Sequence, residues 1–428
     1  MLHNHANRSG RRNILPRGGF SYIAVMGVSL IVGTLALGGV SVLRIQARAS
    51  QDALSSLGAR QNARTAAELA RFLISNDISW RTTYSNGQLI TNRATGSGTV
   101  TVTIQDPVDS NLANHPHDPL RLNITAVERR ATQRFQLDLE ANPVPLRALA
   151  HGMHCWSGLN VQANGILQVY GGPVGVNGSL VNNSIIDGDV VATTISRQGI
   201  VTGTVTNSAS VLSYPPQSVP TKYSEMGTQF TNRLNLIEKA VIAPGLNPFG
   251  ALNSGGVYIV RPTTNMTIRN TRIHGTLIVV MPNTSTRLTI EDNVFFQPAQ
   301  PGYPALIVQG NLDLRYRSDG ETLSESALST NFNPAGAPYG NQTNTTTTDV
   351  YPSEIQGLVY CTRQLRWYNN GLLRGGVCVE GIGVTTGTEI HGTPRVLYDP
   401  YLFFSPGPWL TERVNLVPQL GTWKQVVQ

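Results

Sequence analysis

IQGLVYCTRQLRWYNNGLLRGGVCV, residues 355–379, opens and closes on one pattern: Ile355-Gln-Gly-Leu-Val359 and, with its glycine 18 residues further on, Leu373-Arg-Gly-Gly-Val377. The pattern is apolar, any, Gly, any, apolar. It recurs as Val176-Asn-Gly-Ser-Leu180, Ile186-Asp-Gly-Asp-Val190, Val201-Thr-Gly-Thr-Val205, Ile273-His-Gly-Thr-Leu277 and Val308-Gln-Gly-Asn-Leu312, and Ile390-His-Gly392 carries its first half. A unit this short cannot bury its apolar face alone, but coils of such units stacked on their predecessors share one continuous core. The repeat therefore predicts a parallel β-helix from about residue 151, and its Asn-rich turns agree with that. The alternative, a two-sheet sandwich, demands hairpin signals and two-residue loops, which are sparse here.

Composition supports a folded β-rich protein. Of 428 residues, 40% are hydrophobic and 13% charged, which excludes a disordered chain; 42 Gly and 25 Pro favour short strands and turns over helices. The net charge of +7 suggests nucleic acid only until it is located. Nine arginines against Asp52, Glu68 and Asp77 place +6 of it within residues 1–77, leaving +1 for the remainder. A nearly neutral outer region argues against nucleic acid as a partner.

The exception to the β pattern is the N-terminal region. Residues 20–43, FSYIAVMGVSLIVGTLALGGVSVL, carry no charge over 24 positions, enough for a helix to cross a hydrocarbon core of about 30 Å. Arg8, Arg11, Arg12 and Arg17 precede it and favour a cytoplasmic N-terminus, which places the rest of the chain across the membrane. Ala63, Ala66, Ala67, Ala70, Leu69 and Leu73 recur at helical spacing, so the same helix continues to about residue 77. Residues 98–106, 120–130 and 134–143 then alternate apolar with polar side chains and predict a small antiparallel sheet that packs on the helix. The segment 213–227 reads as a proline-bearing connector followed by a short helix through Leu234, Ile237 and Ala240. Residues 317–354 read as a polar, mobile insertion with little to bury. The aromatic cluster Tyr398, Tyr401, Phe403, Phe404 and Trp409 reads as a cap over the open end of the solenoid, with a sugar-stacking platform as the functional rival.

Chemistry-bearing clusters are few. His115-Pro116-His117-Asp118, and His151 with His154 and Cys155, have metal-ligand types but nothing that completes a shell, so no metal or other cofactor is expected. Asp187 and Asp189 stand two apart and can be written as a paired-carboxylate or Ca²⁺ site of a polysaccharide lyase or hydrolase, although polar residues beside a repeat glycine are more often solvent-facing. No catalytic residues are assigned and no enzyme activity is expected. Three cysteines in an exported region permit one bridge. Cys361 and Cys378 are the natural pair by sequence, but strand alternation sets them on opposite faces unless a bulge realigns them.

Arg17-Gly18-Gly19-Phe20-Ser21 resembles a type IV prepilin leader, in which a peptidase cuts after the glycine and methylates the new N-terminal Phe. That resemblance implies a cut between Gly19 and Phe20, with prepilin peptidase as a partner. Major pilins carry Glu at the fifth mature position and here Ala24 stands there; minor pilins of the PilX type and tip pseudopilins also often lack that Glu. The segment TAAELARFLISN resembles the end of the first helix of PilX-type proteins, and the block from IQGLVYC to EIHGTPRVLYDPYL resembles the β-helical ectodomains of some of them. Two plainer readings compete: an uncleaved anchor, and a secretory signal cut at Ala47-Arg48-Ala49, whose apolar region would far exceed the usual length.

The resulting expectation is a mainly β chain with a long N-terminal helix: a leader at 1–19, a transmembrane helix at 20–43, a helical stalk at 44–77, a pilin-like sheet at 78–150, a solenoid head at 151–412 and a tail at 413–428. The resemblance implies a non-enzymatic minor pilin or pseudopilin, held in the inner membrane with its head outside, whose partners are other pilin or pseudopilin subunits, with a surface polysaccharide as the expected ligand class if the head is adhesive. The alternative is a membrane-anchored β-helix protein that binds or cleaves polysaccharide.

Overall fold

The computed structural model describes residues 18–426, with side chains from residue 21. Helix α1 spans Gly18–Asn76, 59 residues and about 90 Å at 1.5 Å per residue. At its end Asn76 Nδ2 donates to the Phe72 carbonyl, and just beyond it the Asp77 carboxylate accepts from the Ser79 N–H. Four antiparallel strands follow in a meander: β1 (Gln88–Thr95), β2 (Gly98–Gln105), β3 (Leu120–Glu128) and β4 (Ala131–Pro145). Their alternate residues, such as Val100, Val102 and Ile104, face α1, where Ala59, Ala63, Ala66, Ala67 and Ala70 are buried. Small side chains on that helix face let its backbone approach the sheet closely. Glu128 ties the two together, accepting from Asn62 on the helix and from Ser97.

The next neighbour of β4 in this sheet is not the following strand of the chain but Thr411–Pro418, about 270 residues later, paired antiparallel from Thr411↔Pro145 to Pro418↔Leu139. Lys424–Gln425 also pairs with β4. The solenoid is thus inserted between two adjacent strands of the sheet that packs on α1.

Within the insertion, a parallel sheet of 22 strands forms a three-sided solenoid. The expected fold class holds, but the coils are not stacked in chain order. On one side the strands run 228–229, 257–260, 276–280, 304–309, 358–361 and 377–379, and the next strand in space is 153–155, followed by 174–176, 190–191 and 205–206. The chain therefore enters at mid-solenoid, winds to one end by residue 206, crosses to the opposite end, and winds back to finish beside its own first coil. The same junction appears on the other two sides, as Thr388↔Leu159 and Val396↔Val169.

The repeat glycines sit at bends between sides, with both apolar flanks turned inward: Ile355, Val359, Leu373 and Val377 are all fully buried in one core. Gly357 and Gly375 are in register, and Gly375 has φ +149°, a conformation L side chains rarely adopt.

The connector 207–227 covers the outside of the first side. Trp156 Nε1 donates to the Ser213 carbonyl at 2.9 Å, and the Trp156 ring stacks on Tyr214. The helix lies earlier than expected, at Val219–Met226, with Pro220 in its first turn, and Leu236–Glu238 is a strand instead. Val219 and Tyr223 pack on outward-facing Ile259, Ile278, Ile307 and Tyr360. An outward row of apolar residues needs such a cover, which explains why the crossing runs here.

The segment 317–354 also departs from expectation, because it is folded against the solenoid. Leu323, Phe332 and Tyr351 are fully buried with Phe295. The short strands Thr322–Ser324 and Val350–Pro352 pair antiparallel, and buried Arg272 donates to the carbonyls of Phe332, Ala337 and Pro338. The polar composition concealed a few well-placed aromatics. The aromatic cluster at 398–409 likewise caps no end: the coil before it is covered by residues 153–169, and Leu402, Phe403 and Trp409 pack beside the solenoid where the chain returns to the sheet.

Candidate functional site

The feature with the clearest functional geometry is the division of α1. From residue 55 onward its alanine face is buried on the sheet, whereas every side chain of residues 21–54 is exposed. Residues 21–76 include a window of mean hydropathy 2.2, so the helix is long and apolar enough to cross a membrane. An uncovered row such as Ile23, Leu30, Ile31, Leu35 and Leu37 is unstable in water and calls for lipid or other apolar helices. Ala24 lies on this helix and is exposed. The leader 1–17 lies outside the described residues, and Gly19 and Phe20 are described only as backbone at the start of α1.

The solenoid brings together fewer of the sequence candidates. Asp187 and Asp189 straddle the bend at Gly188 instead of sharing a flat strand, and each is engaged by a neighbouring coil: Asp187 by Thr202 of the next coil and the Tyr170 hydroxyl of the preceding one, Asp189 by the N–H and hydroxyl of Thr204 of the next. These hydrogen bonds hold both carboxyls below the usual range. They act as struts between coils. His154 faces outward against Trp156, while Cys155 faces the interior and contacts the Thr388 hydroxyl at 3.0 Å, so the two do not converge. Burial, then neighbouring His151, pushes His154 down to about 3. Cys361 packs in the inner core and Cys378 in the outer apolar layer; all three cysteines are free thiols, and burial pushes Cys155 and Cys361 up to about 12. The strand register Tyr360↔Cys378 contains no bulge that would bring Cys361 to Cys378.

The loop between β2 and β3 gathers a cluster the sequence reading only half named. Around His115, His117 and Asp118 stand Asp106 and Asp109, and the carboxylates of Asp106, Asp109 and Asp118 lie within 4.8 Å of one another. Burial pushes His117 down to about 4, and burial followed by the charge of Asp106 pushes Asp118 up to about 6. Arg81 donates to the backbone carbonyls of Leu112 and Asp118 and so fixes the loop. The signal in the sequence is the spacing Asp106-x-x-Asp109-x-Asn111.

On the third side of the solenoid, an open groove is lined by Gln297, Tyr303, Gln356, Arg374, Tyr398 and Tyr401.

No protein-family model matches the sequence, and no curated protein matches it. Among solved structures, the competence-associated pilin ComZ from Thermus thermophilus is similar over 88% of this chain and 97% of its own, at 10% identity and a TM-score of 0.30. At that score the likeness carries no argument about this chain.

Proposed function

We propose that this chain is a non-enzymatic, pilin-like subunit of a type IV pilus or type II secretion-like filament, present at the tip or in the initiating complex, with the solenoid as its adhesive or assembly head. The observation that supports this is the split use of α1: an apolar half left bare, and an alanine-faced half seated on a sheet that is closed by the strand returning from the solenoid. In this reading the bare half sits in the inner membrane before assembly and among the helices of other subunits afterwards. The large solenoid is cargo carried on a helix-and-sheet unit. Processing between Gly19 and Phe20 by prepilin peptidase completes the reading.

Mass spectrometry of the mature N-terminus tests it. Methylated Phe20 is the expected result; a retained Met1, or a Gly19→Leu variant that matures normally, overturns it.

A second reading, an anchored polysaccharide-binding head, draws on the groove in which Tyr303, Tyr398 and Tyr401 stand among Gln and Arg side chains, a combination suited to sugar faces and hydroxyls. Retention of the protein on immobilised surface polysaccharide, lost in Tyr401→Ala, is its measurement.

A further inference from the structure

Asp106 is fully buried, and one oxygen of its carboxylate has no hydrogen-bond partner. Its other oxygen accepts from the Val108 N–H at 2.7 Å, which fixes the group in place beside Asp109 and Asp118. A buried carboxylate oxygen without a donor, set against two further carboxylates, is unfavourable unless a cation or a proton lies among them.

We propose that the β2–β3 loop binds one hard divalent cation of Ca²⁺ size through Asp106, Asp109 and Asp118, and that this ion fastens the loop at the junction of sheet and solenoid. Ca²⁺ takes oxygen ligands at about 2.3–2.6 Å, so two ligands facing each other across one ion stand up to about 5 Å apart. The 4.8 Å limit on the three oxygens meets that requirement. The donors are all carboxylate oxygens, which favour Ca²⁺ over the softer metals that seek thiolate or imidazole.

The surrounding charges leave room for the ion. Asp109 already accepts from the Asn111 N–H and the Asn114 amide, which orient it. Arg81 faces the cluster but spends its N–H groups on backbone carbonyls, and one cation against three carboxylates leaves the site negative.

The position gives the ion its consequence. His115 lies with its ring centre 6.1 Å from that of Trp409, two residues before the strand that returns from the solenoid. Ala113 and Pro116 line one cleft with Trp80, Trp409 and Thr411. On the solenoid, burial and then the charge of Asp118 raise the Tyr303 hydroxyl. Ordering this loop therefore steadies the head on its stalk, whatever the head binds.

The test uses the full chain in detergent, stripped with EDTA and titrated with CaCl₂ in parallel with MgCl₂. A saturable single-site response to Ca²⁺, a rise in Tm of a few degrees and a change in tryptophan fluorescence from Trp80 and Trp409 are expected, with Mg²⁺ much weaker. Asp109→Asn, at an exposed position, and Asp118→Asn keep shape and remove charge; each weakens Ca²⁺ binding by at least about tenfold while the unloaded protein stays folded. A Tm indifferent to Ca²⁺, a Ca²⁺ response that survives both variants, or an equal response to Mg²⁺ overturns the proposal. If a shared proton holds the cluster instead, Ca²⁺ has no effect and Asp118→Asn raises Tm.

Discussion

Cys155, in the first coil the chain winds, stands in register with Val379, in the last. The solenoid is closed upon its own beginning at mid-length, so both chain connections to the sheet leave from one place. This explains how so large an insertion fits between β4 and the strand at Thr411–Pro418: the entry at residue 150 and the exit near residue 399 are neighbours, as Tyr398 shows by donating its hydroxyl to the Leu149 carbonyl at 2.7 Å.

The winding order is directly testable. Met153 and Val377 are register partners that face the interior. Adjacent strands stand about 4.8 Å apart, within the Cα range a disulfide spans. The double variant Met153→Cys, Val377→Cys is expected to form a 153–377 link on oxidation, read by peptide mapping. Coils stacked in simple chain order would hold these positions tens of ångströms apart and give no such link.

Inward and outward faces are separated just as sharply. Val359 is fully buried against Val377, whereas Thr346 is exposed in the insertion. Val359→Asp buries an unpaired carboxylate at a cost of several kcal/mol. It is expected to render the purified protein protease-sensitive, with Thr346→Asp unchanged; equal tolerance at both sites would refute the register.

Gly375 offers a finer measure. A Cβ there would stand 2.1 Å from the Gly357 carbonyl oxygen, in a backbone conformation that already excludes side chains. Gly320 has φ +73° but open space around it. Gly375→Ala should lower stability by about 2 kcal/mol or more, and Gly320→Ala by about 1 kcal/mol, measured by chemical denaturation. Similar losses would show that the close approach of coils contributes nothing.

The period of the repeat was enough to reveal the solenoid, because Ile355, Val359, Leu373 and Val377 must all turn inward at each bend. Winding order was not legible. Met153 and Val377 are joined by nothing periodic, and any coil with an apolar interior can stack on any other. The strand at Thr411–Pro418 was hidden for a related reason: its burial does not alternate cleanly, and its partner lies far up the chain. The segment 317–354 misled by composition, since its stability rests on a few residues, Phe332, Tyr351, Glu325 and Arg272, among many polar ones. At the candidate cation site Asp106 and Asp118 are twelve residues apart in sequence, and their approach is set by the β2–β3 pairing.

Glu325 is the fastening of that insertion. Fully buried, its carboxylate accepts from the Phe332 N–H at 2.6 Å, the Asp349 N–H at 3.0 Å and the Tyr351 hydroxyl at 3.0 Å. Glu325→Ala strands the buried Phe332 N–H and Tyr351 hydroxyl and the half-buried Asp349 N–H, and weakens the charge balance of Arg272, a local loss of about 2–4 kcal/mol. Limited proteolysis should then cut within 317–354 while the remainder of the solenoid stays intact. Global unfolding, or no new cleavage, would contradict this local role.

On the proposed reading of this chain as a pilin-like subunit, Ala24 bears on where it sits. In pilins the Glu at the fifth mature position pairs with the charged N-terminus of a neighbouring subunit, and inside an apolar helical core a charge without such a partner is costly. Ala24 has no carboxylate to offer, so a shaft built by repeating this chain would lack that pair at every step, whereas a tip has no subunit ahead of it to engage. The head argues the same way, because a solenoid carried beside the sheet is bulky for close repetition along a shaft. Labelling the exposed head on intact cells is expected to give sparse signals at filament ends, and Ala24→Glu should raise incorporation along the shaft. Uniform decoration of filaments by the unaltered chain would exclude a tip position and make it a repeating subunit.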